Sequence, residues 1–323
     1  YQTNPKKEQL IEMKTYEILF DILSQESDYV SGEKLAQKLG ISRTSIWKAI
    51  QRLEKEGIHI ESIKNKGYKL ISGDLLITKK IEEAAPIHVS FNPNCQSTQL
   101  DAKAGIEAGK PANTLYLASS QTAGRGRFGR SYFAPEQGGI YMTLHLKPNL
   151  PFQQIPAYTI LTAGAIYKAI KDLTLMEMEI KWVNDIYYKG KKIAGILTEA
   201  ITSVETGLVT DVIIGVGINF AISNFPKELK NKANSLFHEK QPITRNELIA
   251  EIWKDFYDCD PDELIYLYKQ HSLILGRTIT FCQNDKEYKG VAKEISDTGQ
   301  LLIQLDTGQE MWLNSGEVSL TSW

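Results

Sequence analysis

The sequence predicts an α+β protein in three parts: an N-terminal winged helix-turn-helix over residues 14–73, a central mixed α/β domain over 74–274, and a small β-barrel over 275–323. Three observations predict it. Two helical patterns meet across Gly40-Ile41-Ser42. Apolar strand-like runs then alternate with helical stretches, and short strand candidates divided by turn residues fill the C-terminal end. With 323 residues, 42% of them hydrophobic, the chain can bury two or three sizeable cores.

Residues 1–13 are polar up to Met13 and read as a leader or a disordered tail. Beyond them Ile18, Leu19 and Leu23 recur at helical spacing, and Leu35, Ala36 and Leu39 mark a second helix that Gly40 stops. Ser42 caps a third helix carrying Ile46, Ile50 and Leu53 at i, i+4 and i+7, and Gly57 ends it. That third helix bears Arg43, Lys48, Arg52 and Lys55 against Glu54 and Glu56, with Ser42, Thr44, Ser45 and Gln51 as hydrogen-bonding groups. Such a surface suits DNA phosphates and base edges. Two strands, at 58–63 and 68–71, flank a basic tip made by Lys64, Asn65, Lys66 and Gly67, which completes a wing. A protein-docking helix pair shares the helical pattern, but the turn, the basic helix and the basic tip together favour DNA.

In the central part, Ser97-Thr98-Gln99 precedes a helical stretch over 100–108, so its hydroxyls sit near a helix start. A plain N-cap is an equally good reading of those hydroxyls. Strands are expected at 115–118 and 139–146, and between them lies Gln121-Thr122-Ala123-Gly124-Arg125-Gly126-Arg127-Phe128-Gly129-Arg130. Glycines let backbone N–H groups approach a ligand, and arginines bring permanent planar charge, so this loop is suited to wrap an anion. A strand at 179–182 ends at Val183-Asn184-Asp185, and a hairpin over 186–199 turns at Lys189-Gly190. A β-branched run from Asp211 ends in Gly215, Gly217 and Asn219 and reads as a buried strand, while its lone Gly-x-Gly is weak evidence for any ligand. A helix is expected at 246–257.

The C-terminal strand candidates lie at 278–281, 286–289, 291–295, 301–305 and 310–313, with turns at Asn284-Asp285, Asp297-Thr298-Gly299 and Asp306-Thr307-Gly308. Five short strands of this kind make an SH3-like barrel.

Several function classes fall away. There is no Walker A motif, no Gly-x-Ser-x-Gly, and no His-Glu-x-x-His among the five histidines. Cys95, Cys259 and Cys282 have neither disulfide nor zinc spacing. A net charge of −2 confines nucleic-acid binding to a local patch. No apolar run reaches membrane-spanning length and the start lacks a signal-peptide pattern, so a cytoplasmic protein without a membrane partner is expected. What remains is a site rich in arginine and lysine with one nearby carboxylate, Asp185, which suits a phosphate-containing intermediate.

Ser97-Thr98-Gln99, the loop from Gly124 to Arg130, Lys181-Trp182-Val183-Asn184-Asp185, Lys192-Ile193-Ala194-Gly195 on to Glu199, and Gly215 to Asn219 occur in this order behind a winged helix. Together they closely resemble the bifunctional biotin protein ligases that double as biotin operon repressors, over nearly the whole chain from Lys14 onward. The resemblance implies a class II synthetase-like ligase domain working in two steps. Biotin and MgATP would give biotinyl-5′-AMP and pyrophosphate, after which a lysine of a biotin carboxyl carrier domain takes the biotinyl group. It implies Ser97, Thr98, Gln99 and Gln121 around the ureido ring, and Gly124, Arg125, Gly126 and Arg127 on the ligand. Arg127 would stabilise charge in adenylation and Lys192 would bind the carboxylate/phosphate junction. Asp185 would stand by the reacting centre, assisting Mg2+ or the incoming lysine, with no protein cage for the metal. Gly195 would line the ligand, and Asn219 the nucleotide side.

The resemblance further implies that biotinyl-AMP orders the loop, promotes a homodimer and pairs two winged helices on operator DNA, contacted by Ser42, Arg43, Thr44, Ser45, Lys48, Arg52, Lys64 and Lys66. Three positions depart from the family pattern: Val183 stands where proline is usual, Tyr132 where tryptophan is common, and Gln99 where asparagine is frequent. The rival readings are a lipoate ligase, which the loop and the winged helix disfavour, and a metabolite-sensing transcription factor whose enzyme domain only binds.

Overall fold

The computed structural model describes residues 13–238, 241–283, 286–314 and 316–321. The chain forms two compact units, one ending at Lys80 and the other running from Ile81.

In the first unit, α1 (Thr15–Gln25), α2 (Gly32–Leu39) and α3 (Arg43–Lys55) precede a hairpin of β1 (His59–Ile63) and β2 (Gly67–Ser72). Local chemistry sets three of these boundaries. The Ser31 and Ser42 hydroxyls accept from the Lys34 and Ser45 amides at 3.1 Å each, capping α2 and α3. Gly40 closes α2 in the left-handed region at φ 66°. Leu19, Leu23, Leu35, Ile46, Ile50, Leu53 and Ile60 form one buried core with Ile58 and Leu75. Burying those side chains, at about 1.5–3 kcal/mol each, fixes the angle between α2 and α3.

The second unit begins with α4 (Thr78–Ala84), which spans the division, then β3 (His88–Phe91), β4 (Asn94–Cys95), α5 (Thr98–Glu107), β5 (Thr114–Ala118), β6 (Ser120–Gln121) and β7 (Gly139–Leu146). It continues through β8 (Leu150–Pro151), α6 (Tyr158–Thr174), β9 (Glu179–Lys181), β10 (Asp185–Tyr188), β11 (Lys191–Thr202), β12 (Leu208–Asn219), α7 (Arg245–Asp258) and α8 (Pro261–Gln270). The main sheet has the order β3-β5-β7-β12-β11-β10-β9, with β8 pairing β12 at its side. Only β3 and β5 run parallel within it. Every residue of β5 and β7 is buried, as expected for central strands covered on both faces. Thr143 on β7 meets Thr98 of α5, whereas its neighbour Met142 meets Trp253 of α7. Strand alternation therefore puts α5 and α7 on opposite faces of the sheet.

The helix α6 answers to no sequence expectation. Ten of its residues are buried, from Ile160 to Ile170, and its start at Ala157 has no side-chain cap, so no capping signal marks it and polar residues gather only near its end, at Lys168, Lys171 and Asp172.

A five-stranded antiparallel sheet ends the chain, in the order β16-β15-β14-β13-β17, built from β13 (Thr278–Gln283), β14 (Lys286–Ile295), β15 (Leu301–Leu305), β16 (Glu310–Leu313) and β17 (Val318–Leu320). Two details differ from the sequence expectation. The candidates at 286–289 and 291–295 are one strand, β14. Gly290 lies inside it because a Cβ there would come 2.5 Å from the Gln304 carbonyl oxygen on β15, so the glycine marks a close strand approach and not a break. The fifth strand is instead Val318–Leu320, pairing β13. Gly299 and Gly308 adopt left-handed φ at their expected turns, while the Asn284-Asp285 turn and residues 1–12 lie outside the described residues.

Candidate active site

A cavity opens over the strands β11 and β12, and three glycines make its floor possible. Gly195 and Gly217 face each other across the two strands, with Gly215 two residues along. A Cβ on Gly217 would fall 2.5 Å from the Tyr132 ring, on Gly215 3.0 Å from Gln99 Cδ, and on Gly195 3.1 Å from Lys192 Nζ. Each glycine therefore seats one side chain that a larger residue would displace. The weak Gly-x-Gly pattern has its physical reason here: it is a floor for side chains arriving from other elements.

One end of the cavity is polar and uncharged. β4 pairs β6 in parallel, Cys95 opposite Gln121, which holds Gln121 beside the start of α5. Gln121 Oε1 accepts from the Thr98 amide at 2.7 Å and from its hydroxyl at 3.2 Å, and Thr143 donates to Thr98 Oγ1 at 2.8 Å. Ser97 Oγ accepts from the Gln99 amide at 3.2 Å and also lines the cavity, so the N-cap and cavity readings of Ser97 both hold.

The other end is cationic. The Gly-Arg loop folds back on itself through Tyr132 N to Gly124 O at 2.9 Å and Gly126 N to Arg130 O at 2.8 Å. Within it Arg125 donates to the Gly129 carbonyl at 3.0 Å, and Phe128 and Gly129 take left-handed φ of 57° and 70°. Arg127 donates to Asn184 Oδ1 at 3.2 Å, and Asn184 in turn donates to the Ile196 carbonyl at 2.8 Å. Arg130 forks onto Glu317 at 2.8 and 2.5 Å, a geometry that locks both side chains. Lys192 Nζ stands 2.7 Å from Asp185 Oδ1. The turn between Lys181 and Asp185 is braced by Trp182 Nε1 donating to the Gly299 carbonyl at 2.8 Å and by the Tyr268 hydroxyl donating to the Val183 carbonyl at 3.0 Å.

Burial pushes the Arg127 guanidinium and the Lys181 ammonium below their ordinary pKa, with Asp185 opposing it in both cases. Half-buried cations facing so few carboxylates make this end favourable for an added anion. The Glu317 carboxyl is held below its usual range, chiefly by the Arg130 hydrogen bond. Burial pushes the Tyr187 hydroxyl up to about 12.

The cavity brings together Ser97, Thr98, Gln99, Gln121, Arg125, Gly126, Arg127, Asp185, Lys192 and Gly195. Two expected residues stand behind it. Gly124 packs under Tyr132 and Gln121, and buried Asn219 donates to the Asn234 carbonyl at 3.0 Å and to the Lys192 carbonyl at 3.5 Å, so it fixes the backbone of Lys192. Lys181, Asn184, Tyr132 and Glu317 also line the cavity without a firm role in the sequence reading. The first two belong to a quoted motif, which was the available signal. Glu317 lies 187 residues from Arg130, and no local pattern announces that pairing.

In the first unit, Ser42, Arg43, Thr44, Lys48, Arg52, Lys64 and Lys66 are exposed and Ser45 is partly so. Arg43 pairs with Glu33 at 2.6 Å and Arg52 pairs with Glu56. Lys66 lies over the Tyr29 ring at 5.8 Å. The half-exposed Trp47 stands among these groups on α3, a residue the sequence reading passed over.

A sequence profile of the biotin/lipoate A/B protein ligase family matches residues 94–219, one for an HTH domain matches 16–69, and one for the biotin protein ligase C terminal domain matches 274–321. The solved "Biotin protein ligase from Aquifex aeolicus in complex with biotin and ATP" superposes with a TM-score of 0.59 at 27% identity, over 72% of this chain and 97% of that one. The bifunctional ligase/repressor BirA of Escherichia coli (strain K12) is 29% identical, over 91% of this chain and 94% of its own length. Its counterpart in Bacillus subtilis (strain 168) is 34% identical over 90% of this chain and 94% of its own length. A floor of glycines, a neutral polar end, a cationic loop and a helix-turn-helix thus coincide with a likeness that runs along nearly the whole chain, which belongs to the family of the bifunctional ligase/repressor BirA proteins.

Proposed function

We propose that the chain activates biotin with ATP to biotinyl-5′-AMP, transfers the biotinyl group to a lysine of a biotin carboxyl carrier domain, and represses transcription in response to biotin through its winged helix. The observation that carries the enzymatic reading is one cavity lined by two kinds of group: neutral hydrogen-bonding side chains at Ser97, Thr98, Gln99 and Gln121, and the cations Arg127, Lys181 and Lys192. A ureido ring suits the first kind and a carboxylate meeting a phosphate suits the second.

In the first step a biotin carboxylate oxygen bonds to the α-phosphorus of ATP while the bond to pyrophosphate breaks. Two anions must approach, and Arg127 and Lys192 stabilise the charge that gathers on the reacting oxygens. In the second step the carrier lysine amine attacks the acyl carbon and AMP leaves. Asp185, paired with Lys192 in the cavity lining, would receive the proton of that amine. In this reading Mg2+ would enter on the ATP phosphates, with Asp185 as its protein neighbour. Once ordered by biotinyl-AMP, the loop would shield the acyl phosphate from water.

No helix among the described residues is long and apolar enough to cross a membrane, and the reading places the reaction in the cytoplasm. For regulation, a loop ordered by biotinyl-AMP favours a homodimer, which sets two α3 helices on a two-fold operator. Transfer of labelled biotin to a carrier domain in the presence of MgATP tests the enzyme. Absence of label on the acceptor lysine, or labelling with lipoate in its place, would overturn it. A gel-shift titration tests the repressor, and operator binding indifferent to biotinyl-AMP defeats the coupling.

A further inference from the structure

We propose that Glu199 is a positioning residue that locks the Gln99 amide in the orientation that leaves its carbonyl oxygen without a protein partner, as a fixed acceptor for a ligand N–H. The inference deepens the biotin-activating reading above and rests on it. Gln99 is 7% exposed, and its Nε2 donates to the Leu197 carbonyl at 3.2 Å and to Glu199 Oε2 at 2.9 Å. Those two acceptors use both hydrogens of the amide nitrogen. Oε1 is buried with no hydrogen-bond partner among the described residues, and the side chain lines the cavity.

The orientation follows from chemistry. Exchanging the nitrogen and oxygen would press the amide carbonyl against a backbone carbonyl and a carboxylate, three acceptors without a proton to share. Glu199 is itself held by Lys103 Nζ at 3.0 Å, and it stands outside the cavity lining. Gly215 supplies the seat under the amide, since a Cβ there would come 3.1 Å from Oε1. A buried carbonyl kept without a partner is costly and asks for a donor that arrives with the ligand. A ureido N–H supplies one. A ring with no N–H, such as a dithiolane, leaves the oxygen unpaired and is disfavoured. Residue 199 thereby helps to set which ring the cavity accepts, without touching it.

Steady-state kinetics with biotin, MgATP and a carrier domain, on the full chain and on Glu199→Gln, Gln99→Ala and the double variant, test the assignment. Glutamine is nearly isosteric with glutamate, but with its oxygen held by Lys103 its NH2 turns toward Gln99, so the Gln99 nitrogen loses one of its two acceptors and the lock is weakened. The expected result is a biotin KM raised about tenfold in Glu199→Gln, with the ATP KM within about twofold, and no further rise when the change is added to Gln99→Ala. A wild-type biotin KM in Glu199→Gln, a parallel rise in both KM values, or additive effects in the double variant would each overturn the role of Glu199. A parent protein that turns over no biotin would instead overturn the function proposed above, and this inference with it.

Discussion

In the cavity lining Thr98, Gln99 and Gln121 stand on α5 and β6, backed by Thr143 of β7, whereas Arg125, Arg127 and Arg130 stand on a loop held by side-chain contacts to Gly129, Asn184 and Glu317. The polar end is fixed by hydrogen bonds between buried groups on regular structure, as at Thr143 and Thr98. The loop depends on contacts that solvent reaches: Phe128 is 69% exposed, and Arg130 and Glu317 are both exposed. Groups that recognise a ring need precision, which helices and strands supply. Groups that stabilise transient charge and exclude water must also let ligand in and out, which a loop permits. The division of labour teaches that binding and chemistry should respond separately to mutation.

The strongest test removes charge from the loop. Arg127→Ala should lower biotin- and ATP-dependent pyrophosphate release by about 10² to 10³ while the biotin dissociation constant moves little. A variant that adenylates at the parent rate would remove Arg127 from its role and blur the comparison. Gly215→Val attacks the rigid end, because the new side chain must displace the Gln99 amide. Biotin affinity should fall about 10- to 100-fold, the equivalent of about 1–3 kcal/mol of overpacking, with ATP binding read by calorimetry much less affected.

Thr143→Val deletes one buried donor to Thr98 and should raise the biotin KM about threefold to tenfold with an unfolding cost near 1 kcal/mol. Equal effects on biotin and ATP would deny that this end reads only the ring. Glu317→Gln is the mildest change: an exposed ion pair should alter turnover by about twofold or less at neutral pH. Because Arg130 depresses the Glu317 pKa, the pair contributes fully above the ordinary carboxylate value of 4.5 and is lost as pH falls through the lower folded value. Parent and variant should therefore converge in acid, and a difference that widens below that range would contradict the assignment.

Much of the first unit was legible because its signals lie within a few residues of one another. Ser42 caps α3 three residues before Ser45, Gly40 takes the left-handed turn, and Lys64 to Gly67 close the hairpin. The Lys189-Gly190 turn was readable for the same reason, with both residues at positive φ. In the second unit the periodic signal failed at α6, whose stretch from Ile160 to Tyr167 is buried throughout, so that Lys168, Lys171 and Asp172 mark a polar face only near its end. Gly290 misled because a glycine reads as a break until the neighbouring strand shows why a side chain is excluded.

For the site, the sequence by itself determined the chemical inventory: a glycine-rich arginine loop, a serine-threonine-glutamine helix start, a lysine and a carboxylate near a hairpin, and a basic third helix beyond a tight turn. Residue type and short-range spacing suffice for that, since charge, hydrogen-bonding capacity and backbone freedom belong to each residue. Only the tertiary structure decided that Gln99 meets Glu199 across 100 positions, that Arg130 meets Glu317 across 187, and that Gly217 lies under the Tyr132 ring. Such pairings are set by how strands register and helices pack, and that is fixed by burial of the whole core and not by any segment alone.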